Sequence, residues 1–223
     1  NFNFYIYLQN SIEREIFLNN SYDYDRFLFL EKYINKFKFD YFFDIGSYTG
    51  YYSLYFAKNS SICNIISFEP NSLNFNKLIK NIKLNNLNII THNFACSDVE
   101  GDAIIWFTNS NKLGGSSVLN KNDIEIDKYE KNKLKFLNIK TNTLDKIYGH
   151  LNNKQMLIKI DVERHEINVL DGVFKFFNNN NILLQIEIEK ELKDKVFEKL
   201  SKFNFQYINS IDDDHYFSNF ITS

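Results

Sequence analysis

Proline occurs once in 223 residues, glycine seven times and cysteine twice, and arginine stands only at positions 14, 26 and 164. Two cysteines are too few for the disulfide framework of small secreted domains, so a reducing, cytoplasmic compartment is expected. No apolar run approaches the roughly 18 to 20 residues of a membrane span, because Asn, Lys or Asp interrupts every hydrophobic stretch. An excess of either charge is also missing. Lys and Arg total 26 against 28 Asp and Glu, a net charge of -2. The bulk attraction behind non-specific nucleic-acid binding is therefore absent, and no nucleic-acid partner is expected. The first segment has neither the basic nor the apolar region of a signal peptide, and a start at Asn1 suits a domain cut from a longer polypeptide.

What is abundant is aromatic and apolar: 23 Phe and 14 Tyr, with 44% of residues hydrophobic. That supply suits one large globular domain and leaves no room for two. About one residue in seven is Asn, a departure from average usage. Asn, Lys, Ile, Phe and Tyr share A/T-rich codons, so the bias is assigned to the genome rather than to function.

From position 41 onward, short apolar runs alternate with helical patterns. Tyr41 to Ile45 reads as a strand that turns at Gly46 into a helix reaching about Lys58. Ile62 to Phe68 is a second strand. Beyond Glu69-Pro70-Asn71, the spacing of Phe75, Leu78, Ile79 and Ile82 predicts a helix. Leu87 to Ala95 reads as a third strand, Ala103 to Thr108 and Phe136 to Lys140 as further strands, and 109–135 as a polar excursion over the mouth of the sheet. A helix over Thr143 to His150, a buried strand over Met156 to Ile160, a helix over Glu163 to Phe177, a strand over Ile182 to Ile188 and a helix over Lys190 to Lys202 follow. A terminal antiparallel pair, Phe205 to Ile208 with Tyr216 to Ile221, closes the pattern. Sequential β-α-β units make right-handed crossovers, so the expected fold is α/β: a mainly parallel sheet of about seven strands with helices on both faces. Residues 1–40 read as a helical N-terminal extension and 41–223 as the domain proper.

The segment Asp44-Ile-Gly-Ser-Tyr-Thr-Gly50 is a strand end entering a glycine turn. Gly46 lets the backbone approach a ligand, and Gly50 lets the helix start close to the strand. A dinucleotide site expects G-x-G-x-x-G, with a pyrophosphate on the helix N-terminus. Here the spacing is D-x-G-x-x-x-G, and the preceding acid suits a ligand with an ammonium group and no phosphate, such as S-adenosyl-L-methionine. Glu69 stands where a carboxylate accepts hydrogen bonds from a ribose diol. Asn93, Ala95 and Asp98 close the third strand at the level of an adenine ring, where Ser97 and Asp98 read equally as a turn.

The sequence resembles the FkbM family of S-adenosylmethionine-dependent methyltransferases. The resemblance rests on Asp44 to Ala57, Phe68-Glu-Pro-Asn71, Ala95-Cys-Ser-Asp98 with Glu100-Gly101, Thr143-Leu-Asp145 and Leu157 to Leu170, in order over positions 40 to 190. The usual family residue at position 164 is Gly, where this chain has Arg. The resemblance implies a Rossmann-like class I methyltransferase fold and methylation of a hydroxyl on a sugar, glycan or small metabolite. It implies cofactor contacts at Asp44, Gly46, Ser47, Tyr48, Gly50, Glu69, Pro70, Asn71, Asn93, Ala95, Asp98 and Asp161. Ser116 and Ser117, in a small-residue loop like one in the family, and Glu187 are expected at the acceptor.

Reaction chemistry is expected from Asp161 to Glu166, at the carboxyl edge of the sheet. Methyl transfer is an in-line displacement for which the protein supplies alignment and proton removal. His165 is the leading base because an ordinary imidazole titrates near neutrality, with Glu163 orienting it or binding substrate. In a second arrangement Asp161, Glu163 and Glu187 bind Mg²⁺. Two other readings remain open at the level of sequence. One is a non-catalytic, methyltransferase-like binding or scaffold module; the other is a nucleotide-dependent oxidoreductase or epimerase, against which the glycine spacing argues.

Overall fold

The computed structural model describes residues 2–8, 11–18, 22–108, 117–119 and 134–221. Two helices, α1 (Ser11–Leu18) and α2 (Tyr24–Lys36), precede the first strand, β1 (Tyr41–Ile45). Then come α3 (Tyr51–Asn59), β2 (Asn64–Phe68), α4 (Ser72–Leu84), β3 (Ile90–His92), β4 (Ala95–Cys96), β5 (Gly101–Thr108), β6 (Ser117–Leu119) and β7 (Leu134–Asn142). The chain continues through α5 (Leu144–Tyr148), β8 (Gln155–Ile160), α6 (Glu166–Asp171), α7 (Phe174–Asn178), β9 (Asn181–Glu187), a 3-10 turn (Lys190–Leu192), α8 (Lys193–Ser201), β10 (Gln206–Ile211) and β11 (Asp214–Ser218).

Seven strands form one sheet in the order β10-β11-β9-β8-β1-β2-β3. The pairs β3-β2, β2-β1, β1-β8 and β8-β9 are parallel, and β11 lies antiparallel to both β9 and β10. This is a mainly parallel sheet with an antiparallel terminal hairpin, as the sequence pattern leads one to expect. Alternation along the strands builds two cores. Phe43, Ile45, Phe68, Ile158, Ile160 and Leu184 face α6, α7 and α8. Phe42, Ile65, Leu157, Leu183 and Tyr216 face α2, α3 and α4. Each fully buried large side chain contributes roughly 1.5 to 3 kcal/mol, which is why the strands read as almost unbroken apolar runs.

Three expectations change. The segment read as one strand from Leu87 to Ala95 is two: β3 pairs with β2, and β4 leaves for a second sheet of order β4-β7-β5-β6. The chain turns at Asn93, whose side-chain amide donates to the carbonyls of Glu69 (2.8 Å) and Pro70 (3.2 Å). The strands at 103–108 and 136–140 accordingly belong to the second sheet, where they pair antiparallel. The helix expected over Glu163 to Phe177 is divided into α6 and α7 and begins only at Glu166. Glu163 and Arg164 have φ of 50° and 76°, outside helical geometry. Of the excursion 109–135, the structure describes only β6 and the start of β7.

Candidate active site

The ends of β1 and β8 meet at Gly46. Its φ is 85°, and a Cβ there would stand 1.8 Å from the carbonyl oxygen of Asp161, so no other residue fits without moving the strand ends. Gly46 and Ser47 donate their amides to the Phe68 carbonyl at 3.0 and 2.9 Å, and Asp161 donates its amide to Ile45 at 3.0 Å. Three strand ends are thereby locked around one crevice at the carboxyl edge of the sheet, the position where open α/β sheets bind ligands.

A cavity of about 220 Å³ fills that crevice. Its wall includes Asp44, Gly46, Ser47, Tyr48, Glu69, Pro70, Ala95, Asp161, Glu163, His165 and Glu187. Four expected residues stand behind the wall instead. Gly50, at φ 90°, abuts Leu78, and Asn71 caps α4 by accepting from the Leu73 amide at 3.0 Å. Asn93 braces the β2–α4 turn, and Asp98 binds Ser97 and Asn168. Ser116 lies outside the described residues, as does the side chain of Ser117.

Glu69 is buried, and its oxygens accept from backbone amides on two sides: Oε2 from Tyr48 (2.9 Å) and Oε1 from Asn71 (2.8 Å). Burial pushes its pKa up to about 8 against these bonds and one from the Asn74 side chain. Asp44 accepts at Oδ2 from the Ser53 amide (3.1 Å) and hydroxyl (2.5 Å), tying β1 to the first turn of α3. Burial raises its pKa too.

The sequence reading missed Lys159. It interrupts the apolar run of β8 and sits level with Asp44 on β1 and Gln185 on β9. With Ser67 and Tyr216 in the same register, a transverse row of polar side chains crosses five adjoining strands inside the sheet. The ammonium lies 2.7 Å from Asp161 and 4.7 Å from the centre of the Tyr52 ring. Burial works against its charge, but Asp161, Asp44 and Asp214 outweigh burial and raise its pKa. Burial likewise opposes the Asp161 carboxylate, yet Lys159 and a hydrogen bond from Glu187 hold it below its ordinary value. The Asp161 charge, with burial, keeps Glu187 protonated. Tyr22 and Asp23, between α1 and α2, also line the cavity.

Two candidate bases separate electrostatically. Burial lowers His165 to about 4, so the near-neutral titration expected of it is not what this position leaves. Burial and the neighbouring charges of Asp161, Glu166 and Glu189 raise Glu163 to about 7. Arg164 keeps the left-handed backbone for which the family usually employs Gly, and its guanidinium lies 2.8 Å from Glu189. Among the described residues, no group of three or more His, Cys, Asp or Glu side chains is placed to hold a metal ion, and no helix is long and apolar enough to cross a membrane.

Among solved structures, the methyltransferase FkbM from Methylobacillus flagellatus KT superposes with a TM-score of 0.50 at 14% identity. The match covers 81% of this chain and 43% of that one, so the chain spans less than half the length of that relative. At this identity the likeness shows the fold alone. A methyltransferase from Pyrococcus furiosus has a TM-score of 0.46 at 12% identity, with 88% and 82% of the two chains covered. Aeropyrum pernix fibrillarin, in complex with natively bound S-adenosyl-L-methionine, has a TM-score of 0.44 at 10% identity, with 80% and 65% covered. Neither adds to the fold assignment. No curated protein matches the chain. The profile of the methyltransferase FkbM domain matches residues 44–207, from the acid that ends β1 to the start of β10, and the chain belongs to that methyltransferase family.

Proposed function

We propose that the chain transfers a methyl group from S-adenosyl-L-methionine to a hydroxyl oxygen of a sugar, glycan or related small molecule. The observation that carries this reading is one cavity lined by Glu69, Asp161 and Glu163 together. The wall chemistry fits the cofactor. Asp23, Asp44, Glu69, Asp161, Glu163 and Glu187 line it, and the one Lys or Arg side chain among its residues, Lys159, is already paired with Asp161. Such a wall favours an ammonium group and offers a pyrophosphate no free cation, which weighs against a nicotinamide dinucleotide. Two free cysteines, Cys63 and Cys96, suit the reducing cytoplasm to which we assign it.

When bound, the cofactor supplies an electrophilic methyl group on a sulfonium. Glu69 would accept the ribose hydroxyls, helped by Tyr48 and Asn71, which orient its oxygens; Asp44 would face the ammonium, and Gly46, Ser47, Pro70 and Ala95 would shape the adjoining wall. On the acceptor side, the Glu163 carboxylate would take the proton of the acceptor hydroxyl. A base whose pKa lies near the working pH is the efficient choice. Asp161 stays ionised, and protonated Glu187 is a donor toward it. Residues 1–40 we assign as an extension that contributes Tyr22 and Asp23 to the same wall.

Calorimetry with S-adenosylhomocysteine tests the cofactor half: the wild type binds, and Glu69→Gln, which turns one acceptor into a donor, loses tenfold or more in affinity. Equal affinity in both sinks the assignment. Incubation with labelled cofactor and a panel of nucleotide-sugars and glycans, read for a gain of one methyl group by mass spectrometry, tests the acceptor half.

A further inference from the structure

His165 lines the cavity and is buried, as is Ser97 on the loop after β4. The His165 Nε2 lies 3.0 Å from Ser97 Oγ, and that same Oγ lies 2.8 Å from Asp98 Oδ1. The proton count along this chain of three has one solution. The Asp98 carboxylate only accepts, since bonds from Ser97 and Asn168 outweigh its partial burial and hold its carboxyl below the usual range. The Ser97 hydroxyl has a single proton and spends it on Asp98. Toward the imidazole, Oγ can then only accept, so Nε2 carries the ring proton. A neutral imidazole has one N–H, which leaves a lone pair on Nδ1. Nδ1 has no hydrogen-bond partner among the described residues, and it is not one of the sealed, unpartnered polar atoms of the interior.

We infer that Asp98 and Ser97 fix His165 as the Nε2–H tautomer, so that Nδ1 serves the acceptor side of the cavity as a hydrogen-bond acceptor. Ser97 and Asp98 are positioning residues in this arrangement. The role of Nδ1 toward an acceptor molecule rests on the function proposed above; the tautomer does not. Since His165 and Glu163 both line the cavity, an Nδ1 left as an acceptor recognises an acceptor molecule with an O–H or N–H donor in addition to its reacting hydroxyl. A vicinal diol has that chemistry, and a simple alcohol lacks it.

The test is ¹⁵N–¹H long-range correlation spectroscopy on histidine-labelled protein, with the His165 signal assigned by its loss in His165→Gln. The expected wild-type pattern is Nε2–H. Ser97→Ala shifts the ring to a mixture of tautomers and Ser97→Thr restores the wild-type pattern, with circular dichroism confirming that each variant is folded. Should Ser97→Ala not fold, Asp98→Ala, which removes the acceptor and frees the Ser97 hydroxyl proton to turn toward the ring, shows the same loosening. An Nδ1–H wild type, or a tautomer indifferent to these substitutions, overturns the inference. Adding the sugar and glycan panel together with S-adenosylhomocysteine moves the Nδ1 resonance. If no panel member moves it, the acceptor role falls, while methylation by mass spectrometry still decides the proposed reaction separately.

Discussion

The side chains of the site are not equally legible in the sequence. Asp44, Glu69 and Asp161 announce themselves because each ends an apolar strand just before a turn, and strand ends converge at the carboxyl edge of a parallel sheet. The choice between His165 and Glu163 is not legible, because it depends on burial and on charges brought in by other elements. With Glu163 raised to about 7, its ionised fraction increases through neutrality, so turnover rises with pH, is half-maximal near 7 and levels about one unit higher. Glu163→Gln removes the proton acceptor while keeping size, and turnover falls by roughly 10²- to 10⁴-fold with cofactor affinity unchanged. Steady-state kinetics over pH 5 to 9 checks both. A flat wild-type profile, or full turnover in the variant, moves proton removal to another group. Lys159 was not legible because a lysine two residues before Asp161 reads as part of the mouth, whereas its side chain belongs to the interior row.

Elements were legible where one period dominated. β1, β2, β8 and β9 stand within two residues of where their apolar runs place them, and α4 follows its helical spacing. Failures occur where tertiary contacts divide a continuous pattern: Asn93 splits the third strand, and the turn at Glu163 and Arg164 delays α6. The helical extension was visible from Phe27 and Leu30, but its anchor was not. Arg26 of α2 reaches Asp23 at 3.2 Å, Asp212 at 3.1 Å and, most closely, the nearly buried Asp214 of β11. Phe27 meanwhile stacks on Tyr55 of α3 at 3.8 Å. Arg26→Met keeps the apolar stem but strands the Asp214 charge, a loss on the order of 3 kcal/mol. Urea denaturation of the two proteins measures it; a difference under about 1 kcal/mol, the worth of an exposed pair, refutes the anchor.

At the scale of the whole molecule, the site is an electrostatic load on the fold. Glu69, Glu163 and Glu166 titrate at about 8, 7 and 7 when folded, against an ordinary 4.5. The folded chain thus holds protons that the unfolded chain has released, so stability falls as pH rises from about 5.5 to about 8. His165, lowered to about 4, contributes in the opposite direction, an effect that fades as pH rises past about 6.5. With about two excess protons on the folded chain between pH 6 and 7, the net slope is roughly 3 kcal/mol per pH unit, and thermal unfolding at pH 6 and pH 8 shows the lower midpoint at pH 8. A midpoint that holds or rises refutes the charge assignment. The sheet's strand order has a consequence for synthesis. β11 follows β10 in the chain but lies between β10 and β9, and it carries the Asp214 that seats α2. Until residues 214–218 are made, β9 presents an open edge and Arg26 of α2 lacks its closest carboxylate, so a single late strand completes both the sheet and the seat of α2.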